Sequence, residues 1–153
     1  MLTEDTGHVR DYGVDPYGSY NPPSGYYRDD SSPMFPVLYF DDRYLRKRSF
    51  IGVRTAEAAA AVERSYLREV GILEVDLRGD FGVLLHDSTL DVAYAYRRPE
   101  NEEVLLDADS GTVATRNGTY PVSEVPFDPL VSMDVMWFGW IGFYPSSAVY
   151  GSA

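Results

Sequence analysis

The sequence predicts a β-rich α+β domain: a mostly antiparallel sheet run as a meander of short strands, with a C-terminal aromatic helix and an irregular Tyr-rich N-terminal arm. Three observations carry this. Between Leu73 and Val122, short apolar runs alternate with polar residues and are broken by turn residues. Near the C-terminus, Met133, Met136, Trp137, Trp140 and Ile141 fall at helical spacing. The first 34 residues carry Gly, Pro, Asp, Ser and Tyr with no apolar period of either kind. Turn spacing gives about six to eight strands. The 153 residues, 44% of them apolar, suffice for one core, divided as an arm over 1–34 and a domain over 35–153.

The arm holds Tyr12, Tyr17, Tyr20, Tyr26 and Tyr27, more aromatics than a disordered tail carries, so it is expected to lie packed on the domain. Phe35–Phe40 is a short apolar piece. Arg43, Arg46, Lys47 and Arg48 follow in a stretch that reads as a solvated connector. Phe50–Arg54 has strand composition. By local propensity Thr55–Val70 is one helix, with Thr55 as N-cap and Gly71 just past its end.

The meander is clearer. Leu73, Val75 and Leu77 alternate with acids, Arg78-Gly79 turns, and Asp80–His86 returns. Leu90, Val92, Tyr94 and Tyr96 make a third strand, and Val104–Leu106 a fourth. Asp107–Gly111 turns again, and Asn117-Gly118 predicts a hairpin between 112–116 and 119–122. The aromatic helix, over 129–144, is expected to pack on the sheet and to end at Pro145.

Composition excludes several functions. There is no Cys, which removes disulfides, thiolate metal sites and Cys nucleophiles. Two His, His8 and His86, make a His-built metal or catalytic centre improbable, and no cofactor is implied. Twenty-four acids against 13 bases give a net charge of −11, which disfavours nucleic acid as a partner. Lys47 stands alone beside 12 Arg. Many acids with almost no Lys suits a protein working in concentrated salt, where screening relieves self-repulsion. The polar start, Met1–Arg10, lacks the apolar core of a signal peptide, so a cytoplasmic location is the default. The longest apolar run, 135–144, is about half of the ~20 residues a membrane span needs.

Arg10, Tyr12, Asp15, Tyr17 and Tyr20 form the most promising binding set, since forked donors and flat rings suit a small anion or a sugar-like ligand. Mutual satisfaction of Arg10 and Asp15 within a loop-rich arm is the simpler account. His86-Asp87 has the residue types of a general-base pair, but strand neighbours point to opposite faces and no nucleophile accompanies them. Arg78-Gly79-Asp80, a cell-adhesion tripeptide, and Asn117-Gly118-Thr119, a glycosylation acceptor, are both explained by turn chemistry. Asp107–Gly111 opens like a calcium loop, but the sixth and twelfth positions are Thr112 and Gly118 instead of Gly and Glu. The leading function is therefore a non-enzymatic binding or structural module. A protein partner or self-association fits it best; the alternative is an enzyme or small-ligand-binding protein with a site between arm and sheet.

Several dispersed motifs point to one family. They are Asp5–Tyr12, Asp15–Tyr20, Phe35-Pro36, Ile51–Thr55, Asp107 with Ser110-Gly111, and Met136–Pro145. Together they resemble the domain of unknown function 3179 family, most closely its members from halophilic archaea. The resemblance implies that this chain corresponds to the C-terminal half of longer members. Their preceding half carries a Cys-containing segment and a His-Glu segment, neither present here. The halves resemble degenerate copies of each other, which puts Leu84–Asp87 at the Cys segment's position and gives His86 a site-like place without that chemistry. The resemblance also replaces the long helix by a strand over 50–55, a turn at 56–58, a strand over 59–63 and a short helix over 64–70, and we adopt that reading.

Overall fold

The computed structural model describes residues 25–33, 35–37 and 39–151. The hairpin reading of the first elements holds. Strand β1 (Ser49–Arg54) pairs antiparallel with β2 (Ala59–Glu63), and α1 (Arg64–Val70) follows directly. Ala favours helix, yet Ala60, Ala61 and Val62 are fully buried here. A helix over these residues would leave one edge of buried β1 without hydrogen-bond partners, a cost larger than the propensity difference. Thr55 still caps, but it caps the turn: its Oγ1 accepts from the backbone N–H of Glu57 and Ala58 at 3.2 and 3.1 Å. Gly71, at φ 73°, ends α1 by donating its N–H to the Leu67 carbonyl at 2.8 Å.

Strands β3 (Ile72–Leu77), β4 (Asp80–Asp87) and β5 (Val92–Arg97) form the expected meander. Arg78 and Gly79 both take positive φ, 61° and 95°, as a two-residue hairpin turn of primed type requires. Strands β6 (Leu105–Asp107), β7 (Thr112–Thr115) and β8 (Gly118–Pro121) form a further sheet. Its last hairpin is displaced by one residue from the expectation. Thr115 pairs with Gly118, so Arg116 and Asn117 are the turn and Gly118 opens β8.

The C-terminal region departs most from the sequence reading. Val131–Met136 is strand β9, pairing antiparallel with the other edge of β1, and only Trp137–Phe143 is helix, α2. Met133 and Met136 therefore lie on a strand and not on the aromatic helix. A short strand β10 (Ala148–Tyr150) then pairs parallel with β2, completing a four-stranded sheet in the order β10-β2-β1-β9. With β9 and β10 the strands among the described residues number ten, above the expected range.

The layers follow from which residues pack together. One face of the four-stranded sheet, through Ile51, Val53, Ala60 and Val62, meets Val75, Leu77, Leu84 and Ala95 of the β3-β4-β5 sheet and Leu67 of α1. The far side of that second sheet, through Val83, Leu85 and Tyr96, meets Val113, Val122 and Val125. The other face of the first sheet carries α2, whose Trp137, Trp140 and Ile141 pack with Phe50 and Ala61. The large indole face is thus covered by the chain's own sheet.

The stretch from Arg43 to Arg48, expected to be solvated, is instead an anchor. The carbonyls of Arg48 and Arg46 accept from the first two N–H groups of α2, at 2.9 and 2.8 Å. Lys47 is 1% exposed; its ammonium donates to the Tyr26 carbonyl and lies 3.4 Å from that ring's centroid. Trp137 Nε1 donates to the Asp41 carbonyl at 3.1 Å, and its ring meets Phe50 and Tyr44. Truncation of a buried Trp costs about 3–5 kcal/mol. Trp137→Ala is therefore expected to unfold the domain or nearly so, and native fluorescence should be blue-shifted and poorly quenched by acrylamide. Two freely quenched indoles would contradict this packing.

Candidate functional site

A polar cluster gathers where α1, the end of β4 and strand β9 come together. Arg64 and Arg68 are four apart on α1 and so share a face. His86, near the end of β4, is 12% exposed. Beyond it, Asp87 Oδ1 accepts from the N–H groups of Thr89 and Leu90 at 2.9 and 3.1 Å, closing the turn to β5. That turn ends at Asp91, whose φ is 53°, a left-handed conformation that Asp tolerates.

This backbone path sets the Asp91 carboxylate among three cationic or donor groups. Arg68 Nε donates to Oδ1 at 2.8 Å and Arg68 Nη2 to Oδ2. Arg64 Nη2 reaches Oδ2 at 3.3 Å and also the Asp91 carbonyl. His86 Nε2 lies 3.0 Å from Oδ1. Asp134 on β9 takes the other end of Arg64 through Nη1. The Arg68 hydrogen bonds, then that of His86, hold the Asp91 carboxyl well below its ordinary value of 3.8.

The cluster continues past β9 into an open groove of about 540 Å³. It is lined by Arg48, Arg64, Arg68, Ser49, Ser65, Asp29 and Asp134, and by Val135 and Met136. Arg48 donates through Nη1 to Glu63 Oε1 at 2.7 Å, and Ser65 Oγ donates to the same oxygen at 2.8 Å. Asp29, from the N-terminal segment, stands 3.3 Å from Arg48 Nε.

His86 is thus drawn into the cluster, but its partner is Asp91 and not Asp87. The two neighbours diverge as strand geometry requires, one toward the Arg pair and one into the turn. Arg10, Tyr12, Asp15, Tyr17 and Tyr20 lie outside the described residues. Sequence reasoning missed Arg48, Arg64, Arg68, Asp91 and Asp134; the available signals were the i, i+4 Arg pair and the Asp at a turn end. Asp107 Oδ1 accepts from the backbone N–H of Asp109 and Ser110, so that motif closes a turn. Among the described residues no three acids or His converge as metal ligands, and no hydroxyl hydrogen-bonds His86.

The cluster fixes the sign of one pH effect. A carboxyl whose folded-state value is lowered stabilises the fold above its unfolded value and ceases to do so as pH falls through the lowered one. Asp91→Asn removes that dependence. The gap between the urea midpoints of the unsubstituted protein and this variant should narrow from about pH 5 toward about pH 2. A constant gap would show that Asp91 carries no such linkage.

The family model described as "Protein of unknown function (DUF3179)" matches residues 1–147. No curated protein and no solved structure matches the chain.

Proposed function

We propose that this chain, which belongs to the DUF3179 family, is a non-enzymatic binding module adapted to concentrated salt. Its ligand seats in the groove between the N-terminal segment and the four-stranded sheet, through an acidic group. The observation that carries this is the convergence of Arg48, Arg64 and Arg68 on one groove in a chain of net charge −11. Guanidinium forks match carboxylate and phosphate oxygens in pairs, and Arg keeps its charge at any working pH. A partner protein, or a second copy, meets the same requirement by presenting an acidic side chain.

The enzyme reading has less support. Asp91 is already engaged by two guanidinium groups, and general-base work needs a reacting group within reach of His86. Salt adaptation draws support from Lys47: the one lysine is buried, so every solvent-facing base among the described residues is Arg or His.

Thermal unfolding in three solutions tests both parts of the proposal. Moving from dilute buffer to molar potassium chloride should raise Tm, because screening relieves the acidic self-repulsion. Adding inorganic phosphate at that fixed salt should raise it further and saturably, an increment that Arg64→Gln removes. A Tm flat across potassium chloride would sink salt adaptation, and a phosphate response that ignores Arg64→Gln would sink the groove.

A further inference from the structure

The guanidinium groups of the groove hold their carboxylates with unequal grip. Glu63 is 2% exposed and hydrogen-bonded to both Arg48 and Ser65. Asp91 is shared by two Arg and His86. Asp29 and Asp134 are held more loosely. Asp29 is 46% exposed, and the Arg48 Nε beside it, though shielded from water, makes no well-aligned hydrogen bond among the described residues. Asp134 is 68% exposed and engages Arg64 through one nitrogen only. Exposed ion pairs of this kind contribute little and are readily exchanged.

We infer that Asp29 and Asp134 are internal stand-ins for the two carboxylates of a small dicarboxylic acid, which displaces them and bridges Arg48 and Arg64. This rests on the groove being the binding surface, as proposed above. Both Arg already face carboxylate groups, each through one nitrogen, and a guanidinium favours that anion. Val135 and Met136 also line the groove and supply its apolar surface. The volume, about 540 Å³, lies within the range that takes a small molecule. The stand-ins also explain how Arg48 and Arg64 stay satisfied in the free protein: each keeps an exposed carboxylate until a better one arrives.

Titration calorimetry on the full chain in molar potassium chloride tests this, with succinate, acetate and inorganic phosphate as probes. Succinate should bind roughly tenfold more tightly than acetate, a difference of about 1.4 kcal/mol. The doubly substituted Asp29→Asn, Asp134→Asn protein loses both internal competitors and should bind succinate roughly tenfold more tightly again, with little change in Tm because both sites are exposed. Arg64→Gln should remove succinate binding. Equal affinity for succinate and acetate, or no gain in the doubly substituted protein, overturns the inference. Phosphate binding that depends on Arg64, without succinate binding, overturns the dicarboxylate and leaves the groove as the binding surface. No binding of any probe overturns both.

Discussion

The structure depends on one close approach: the indole of Trp140 lies directly on the backbone of Gly52 in β1. A Cβ built at Gly52 would sit 2.2 Å from Trp140 Cζ3 and 2.4 Å from Cε3, far inside contact distance. The absence of a side chain there lets α2 settle onto the four-stranded sheet, with Trp137 and Ile141 filling the space beside Phe50 and Ala61. Small residues on the paired strand serve the same end, since Gly52 lies opposite Ala61. The opposite face of the sheet is then free for the second core, against β3, β4, β5 and α1. The seating of α2 also orders the approach to β1. The first N–H groups of the helix bond carbonyls at Arg46 and Arg48, which places Lys47 beside Tyr26 and Arg48 beside Asp29.

The polar cluster is a consequence of that layering. Helix α1 leaves β2 at the sheet's end, so Arg64 and Arg68 emerge next to the β4–β5 turn and to β9. Three guanidinium groups close together would repel one another; Glu63, Asp91, Asp29 and Asp134 balance them. The acids that are tightly held belong to the framework. Asp29 and Asp134, each beside a single Arg nitrogen, are the ones the proposed ligand would displace.

Much of the meander was legible in the sequence because its signals are local. Leu73, Val75 and Leu77 alternate with acids, and Arg78-Gly79 supplies the turn; both survive in the fold. Strand β9 was less legible because two periods overlap. Val131, Met133 and Val135 alternate with Ser132 and Asp134, the strand signal, while Met133, Met136, Trp137, Trp140 and Ile141 fit a helix. The strand prevails up to Met136 because the open edge of β1 demands hydrogen-bond partners, a long-range requirement that no local window contains. The burial of Lys47 has the same character, since its partner Tyr26 lies 21 residues away. Of the candidate site only His86 was legible; its cluster is assembled from α1, a turn and β9, elements far apart in sequence.

A double-mutant cycle on Gly52 and Trp140 measures the central contact directly. Overpacking of a filled site costs about 1–3 kcal/mol, so Gly52→Ala alone should lower stability by that order in urea unfolding. With the indole already removed by Trp140→Leu, the same substitution should cost far less, which gives a strong coupling between the two positions. Additive effects of the two substitutions would contradict the account, because they would mean that the indole does not rest on Gly52.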